Sequence, residues 1–174
     1  MRQQRIGRMW NVGLVVGFIM ASLNMGAIAG PSAGQPSWDL PLLGGGRMSL
    51  ADSRGSVVIA SFGATWCPPC RAELPALQAL ADKYAAKKVK VVWISIDDKK
   101  VTDQELAQFV QKLGVKFPVA RDLTGDAFAQ FNQSSIPIQV VIDKQGNLVG
   151  KPDPGFSDKD ALLLKMSRVI DSLL

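Results

Sequence analysis

The sequence predicts an α/β domain, a central mixed sheet with helices on both faces. Three runs of β-branched and apolar residues, 56–62 (SVVIASF), 89–96 (VKVVWISI) and 138–143 (IQVVID), are continuous rather than alternating, as in strands buried on both faces. Segments of helical periodicity separate the first two runs and close the chain. At 174 residues, 47% hydrophobic and 20% charged, the chain suits one core of ordinary size.

The N-terminal thirty residues stand apart. Arg2, Arg5 and Arg8 form a basic head, an apolar stretch runs from Trp10 to Ala29, and Ala27-Ile28-Ala29 closes it with a small-x-small pattern. Basic head, apolar middle and small-residue exit are the parts of a secretory signal. An uncleaved anchor is the competing reading, since about 20 apolar residues can span a bilayer. The expected organisation is therefore a signal or anchor at 1–29, a Gly/Pro/Ser-rich linker at 30–37 and a folded domain at 38–174. Its site is periplasmic or otherwise extracytoplasmic, and membrane contact is expected only if the segment stays uncleaved. Loss of the three arginines lowers the formal +5 charge, leaving no basic run for nucleic acid.

Within the domain, residues 68–88 read as a helix, with Leu74, Leu77, Leu80, Ala81 and Tyr84 on one stripe and Pro75 as a source of kinking. Residues 102–113 form a second helix, from Thr102 as N-cap to Gly114 as stop. A short extended piece at 117–120 and a short helix at 124–131 follow. Residues 144–147 turn into a short strand at 148–150, and an amphipathic helix capped by Ser157 runs over 157–174.

The chain has no histidine and two cysteines. This excludes Ser-His-Asp and Cys-His nucleophile pairs, an imidazole base and histidine metal sites. Both cysteines lie in Cys67-Pro68-Pro69-Cys70, after the first strand and at the start of a helix. Residues three apart share a helix face, so the sulfurs can bond. A thiolate at a helix N-terminus has a lowered pKa, and proline suits a first turn whose N–H groups have no intrahelical partner. As a structural staple so short a loop gives only about 2 kcal/mol. As a metal site the pair lacks ligands, so neither metal nor cofactor is expected beyond the redox-active disulfide. Redox exchange fits best, with Cys67 attacking from an exposed helix tip and Cys70 resolving. Trp66 is either a lid on that surface or ordinary packing. Ile136-Pro137, just before a strand, is either a cis bond in a tight turn or a trans proline opening an edge strand.

These residues resemble the thioredoxin superfamily, in particular its exported TlpA/ResA-like branch. The carrying segments are Val57-Val58-Ile59, then Ala64-Thr65-Trp66-Cys67-Pro68-Pro69-Cys70-Arg71-Ala72-Glu73-Leu74-Pro75, then Ile136-Pro137 and Val141-Ile142-Asp143-Lys144-Gln145-Gly146. The resemblance implies a thioredoxin-like fold with a central insertion at 98–120. It also implies a cis Pro137 beside the disulfide, in a groove formed with Trp66, Pro68, Pro69 and Ile136, and a catalytic Glu73 that tunes the cysteines and assists proton transfer. Without the family, Glu73 reads equally as a solvated helix-face carboxylate.

The chain departs from the family pattern at several places. Ser61 stands where thioredoxins keep a buried aspartate, so Glu73 or water must take the proton. Gly63 replaces an aromatic residue and should leave space near the disulfide. Ile138-Gln139 replaces Thr-Thr after the proline, a change expected to bear on partner selectivity. No Gly-Val-x-Gly-x-Pro-Glu stretch of the cytochrome c maturation branch precedes the last sheet segment.

The expected function is extracytoplasmic thiol-disulfide exchange that reduces exported proteins and is recharged by a membrane electron donor. Pro-Pro between the cysteines offers neither N–H nor cation to stabilise a thiolate, which favours a reductant over an oxidase. The alternatives are a disulfide-forming oxidase or isomerase and a redox-inert binding module. A peroxidase is weaker, because Arg71 lies on the wrong side of Cys67.

Overall fold

A computed structural model describes residues 35–155 and 158–174. The expected signal segment and most of the linker lie outside the described residues, as does Ser157. The main sheet has five strands in the order β5-β4-β3-β6-β7: β3 (Val57–Gly63), β4 (Val89–Ser95), β5 (Val119–Arg121), β6 (Ile138–Ile142) and β7 (Asp153–Pro154). Strand β3 is parallel to β4 and antiparallel to β6; β4 is parallel to β5, and β6 is antiparallel to β7. All of β3 and β6 is buried, which explains their unbroken apolar runs.

Apolar side chains alternate between two clusters. On one face Val57, Ile59, Val91, Trp93 and Val141 meet helices α1 (Pro68–Lys83), α2 (Asp103–Lys112) and α4 (Lys159–Leu173), through Leu74, Leu77, Leu80, Leu106, Leu162, Met166 and Ile170. On the other, Val58, Ala60, Phe62, Val92, Ile94 and Val140 meet Phe131, the one-turn helix α3 (Asp126–Ala129) and a hairpin of β1 (Asp39–Pro41) and β2 (Arg47–Ser49). The fold is the mixed sheet flanked by helices that the sequence predicts. The expected insertion at 98–120 holds α2 and most of β5, a crossover that adds a third parallel strand to the sheet edge.

Several elements differ from expectation. Helix α1 passes through exposed Pro75 but ends at Lys83, five residues early: Tyr84 is buried, its hydroxyl donating to Asp171 of α4 at 2.8 Å, and its backbone leaves the helix. Residues 148–150 make only the bridge Ile142↔Leu148; left-handed Gly150 (φ 71°) then turns the chain, and pairing with β6 resumes at β7. Helix α4 is capped by Asp158, whose carboxylate accepts from the Ala161 N–H at 2.7 Å, not by Ser157. The β1–β2 hairpin was not anticipated, because each strand is three residues long and buries only its middle one.

Candidate active site

Helix α1 starts where β3 ends, at the carboxyl edge of the sheet. Cys67 is its N-cap (φ −94°, ψ 108°), Pro68 and Pro69 open the first turn, and Cys67 and Cys70 form a disulfide with Cα atoms 5.3 Å apart. The Cys70 N–H donates to the Cys67 sulfur at 3.3 Å. That bond, with the positive end of a 16-residue helix, favours negative charge on Cys67. Cys67 is not at an exposed tip, however. It is 4% exposed and Cys70 0%, because Ala64, Ile96 and Ile136 pack around the pair. Cys67 is thus the more accessible sulfur of the two.

The Ile136–Pro137 peptide is cis, which removes the trans alternative, and the Ile136 carbonyl oxygen sits 3.9 Å from the Cys67 sulfur. Pro137 is buried and Ile136 half-buried, while Pro68 and Pro69 are exposed beside them. Trp66 is 69% exposed and so is not core packing. Together these residues border the covered sulfur.

Glu73, one turn beyond Cys70, faces inward and is 0% exposed, so it is no solvated surface carboxylate. Its Oε1 accepts from the Ser61 hydroxyl and its Oε2 from the Gln139 side-chain amide at 2.9 Å. Burial pushes its pKa up to about 7; the hydrogen bonds from Ser61 and Gln139 limit the rise. Register explains the meeting: Ser61 pairs with Trp93 on one side and Gln139 on the other, so the three side chains form one row beneath α1. Gly155 donates its N–H to the Pro137 carbonyl at 3.1 Å, and a Cβ there would overlap both Pro137 and the Glu73 carboxylate.

Gly63 does not leave a void. A Cβ at that position would lie 2.8 Å from Trp93 Nε1 and 3.0 Å from Cys70 Cβ, so an indole from β4 fills the place of the absent aromatic ring. Sequence reasoning passed over Trp93 as a core residue and Asp97 altogether. Buried Asp97 accepts from the Thr65 N–H and hydroxyl (3.0 and 2.9 Å) and from Ser95 Oγ (2.9 Å), anchoring the loop that leads into Cys67. An acidic residue directly after a buried strand was the available signal. Among the described residues no group of three or more His, Cys, Asp or Glu could hold a metal ion.

Such a site can open and re-form one disulfide, with a carboxylate nearby that titrates around neutrality. The match to known proteins extends well beyond it. ResA, a thiol-disulfide oxidoreductase of Bacillus anthracis, is 33% identical over 114 residues, covering 66% of this chain and 64% of that protein. The thioredoxin-like protein YneN of Bacillus subtilis is 33% identical over 111 residues, 64% of each chain. The chain thus spans a little under two thirds of these relatives' length. Among solved structures, a thiol:disulfide interchange protein of Chlorobium tepidum superposes with TM-score 0.61 at 27% identity, covering 75% of this chain and 93% of that one. The exposed lipoprotein thioredoxin Etrx1 of Streptococcus pneumoniae gives 0.60 at 30%, covering 76% and 98%. The AhpC/TSA family model matches residues 33–151, which contain both cysteines, Glu73 and the cis proline: this thioredoxin-like chain belongs to the AhpC/TSA family.

Proposed function

We propose that the protein is an extracytoplasmic thiol-disulfide oxidoreductase that reduces disulfides of exported proteins through Cys67 and Cys70. The observation that carries this reading is the asymmetry of the pair, with Cys67 at the helix N-cap beside the Ile136 carbonyl that precedes the cis proline, and Cys70 wholly buried behind it. In the reduced protein the Cys67 thiolate attacks a partner disulfide, forming a mixed disulfide and releasing one partner thiolate. Cys70 gives its proton to the Glu73 carboxylate and attacks the Cys67 sulfur, and the partner departs as its second thiolate. Two electrons pass to the partner, and the protein is left oxidised as seen here. A dithiol donor at the membrane reverses these steps.

The Pro68-Pro69 dipeptide supports the reducing direction, since it adds no N–H or cation to stabilise the thiolate. A basic, apolar, Ala-x-Ala leader at 1–29 before a domain at 38–174 supports export. So does the resemblance to an exposed lipoprotein of Streptococcus pneumoniae. No helix among the described residues is long and apolar enough to cross a membrane.

The reading is tested with Cys70→Ala in the native compartment and a redox titration of the intact pair. The variant is expected to accumulate mixed disulfides through Cys67, and Cys67→Ser to accumulate none. A reduction potential above about −150 mV would assign the protein to disulfide formation instead. Failure of Cys67 to exchange with any thiol would leave a binding module.

A further inference from the structure

The two sulfurs are served unequally. Cys67 has the Cys70 N–H at 3.3 Å and the helix N-terminus; the Cys70 sulfur has no comparable donor among the described hydrogen bonds. Opening the disulfide therefore leaves a sulfur in a site of 0% exposure, where an unsolvated thiolate is costly. Close by lies a polar group without a partner. Trp93 is also 0% exposed, and its indole Nε1–H makes no hydrogen bond among the described residues. Leaving such a donor unpaired costs about 1–3 kcal/mol, and native proteins seldom retain one without cause.

Geometry connects the two. A Cβ added at Gly63 would lie 2.8 Å from Trp93 Nε1 and 3.0 Å from Cys70 Cβ, so the nitrogen and the cysteine both pack against the Gly63 backbone with no side chain from that residue between them. The indole is also fixed. It packs in the core beneath α1, stacks on Phe109 with ring centroids 6.0 Å apart, and sits on β4 directly across from Ser61.

We propose that Trp93 is a positioning residue whose indole N–H is held idle in the oxidised protein and donates to the Cys70 sulfur once the disulfide opens. Resting on the oxidoreductase reading, the proposal adds a donor specific to the resolving sulfur. Reduction by a dithiol breaks the Cys67–Cys70 bond, adds two electrons and two protons to the pair and converts the dithiol to its disulfide. A rotation about the Cys70 Cα–Cβ bond then brings its freed sulfur toward Nε1. Glu73, through its carboxylate, remains the proton acceptor, and the indole N–H holds the sulfur in place for the return attack.

Two measurements test this. In the wild-type protein the Trp93 indole ¹H–¹⁵N resonance, assigned by its loss in Trp93→Phe, is followed while dithiothreitol reduces the pair. The expected result is a downfield proton shift and slower solvent exchange on reduction. A resonance that is unmoved, or that shows a water-bound N–H in both states, overturns the proposal. The second measurement equilibrates wild type and Trp93→Phe with a glutathione redox buffer. Removing the N–H relieves an unpaired donor in the oxidised form and deletes a hydrogen bond in the reduced form, both of which favour the disulfide. About a tenfold shift toward the oxidised form is expected, close to 30 mV for two electrons. A ring that acted only by packing would weaken both forms alike and leave that equilibrium unchanged, which also overturns the proposal. Neither measurement needs a protein substrate, so failure of the oxidoreductase reading would show separately, as wild-type protein that cannot exchange disulfides.

Discussion

At the scale of single residues, Glu73 sets the pH behaviour. Its carboxyl is raised from 4.5 to about 7, chiefly because burial disfavours its charge. The folded state therefore holds a proton that the unfolded chain has already lost between those pH values. Stability must fall as pH rises from about 4.5 to about 7 and be level in this group above that, by about 3 kcal/mol in all. Glu73→Gln keeps the side-chain volume and removes the titration. Urea denaturation of the two proteins at pH 5 and pH 8 is expected to show the variant gaining on wild type at the higher pH; parallel behaviour would contradict the assignment. Under the proposed mechanism the same substitution is expected to slow reduction of a disulfide substrate near neutral pH, because it removes the carboxylate proposed to take the Cys70 proton.

Among the residues, Cys67, Cys70, Glu73 and Pro137 were legible because a short motif marks each. Ser61 and Gln139 were legible only as departures. Neither residue type states that it will bond a carboxylate, and the Gln139–Glu73 contact joins positions 66 residues apart. The reading of Gly63 failed for a related reason: a missing side chain leaves space only if no neighbour fills it, and Trp93 of the next strand does.

At the scale of elements, helix signals in the sequence were reliable where the cap chemistry is local. Thr102 accepts from the Glu105 N–H at 3.2 Å while the Glu105 carboxylate accepts from the Thr102 N–H at 2.8 Å, a reciprocal cap that starts α2. Thr102→Ala is expected to lower stability by about 1 kcal/mol, measured by chemical denaturation, without changing the redox equilibrium of the cysteines. Sequence located the ends of α1 and α4 less well, since contacts from elsewhere decide them. Tyr84 leaves its helix in binding Asp171, and α4 takes its cap from Asp158. Edge strands β1, β2 and β7 are short and half exposed, so they carry no run of apolar residues to announce them.

For the molecule as a whole, the cysteine pair forms a small cluster with Ala64, Ile96 and Ile136, and the sheet separates two larger apolar clusters, one of them beneath α1. Phe62 lies in the other of these two, its ring centroid 5.9 Å from that of Trp38, 5.8 Å from Phe128 and 5.4 Å from Phe131. Phe62→Ala is expected to cost about 3–5 kcal/mol in denaturation, through lost burial and a cavity. Its neighbours lie on the opposite face from Glu73, so the pH-dependent difference between wild type and Glu73→Gln should persist in the Phe62→Ala background. A large change in that difference would mean that the two faces are coupled through the sheet.

The sequence by itself determined the cysteine pair and the kinds of element: in a chain without histidine the two cysteines stand three apart at a helix start, and unbroken β-branched runs become buried strands. These are local properties, set by side-chain type and by spacing over one or two turns. Only the tertiary structure decided the cis geometry of Pro137, the cover over Cys67 and the row of Gln139, Ser61 and Trp93 beneath the helix. The reason is register. Three strands from distant parts of the chain must align before their polar atoms meet, and no local pattern encodes which residues will stand side by side.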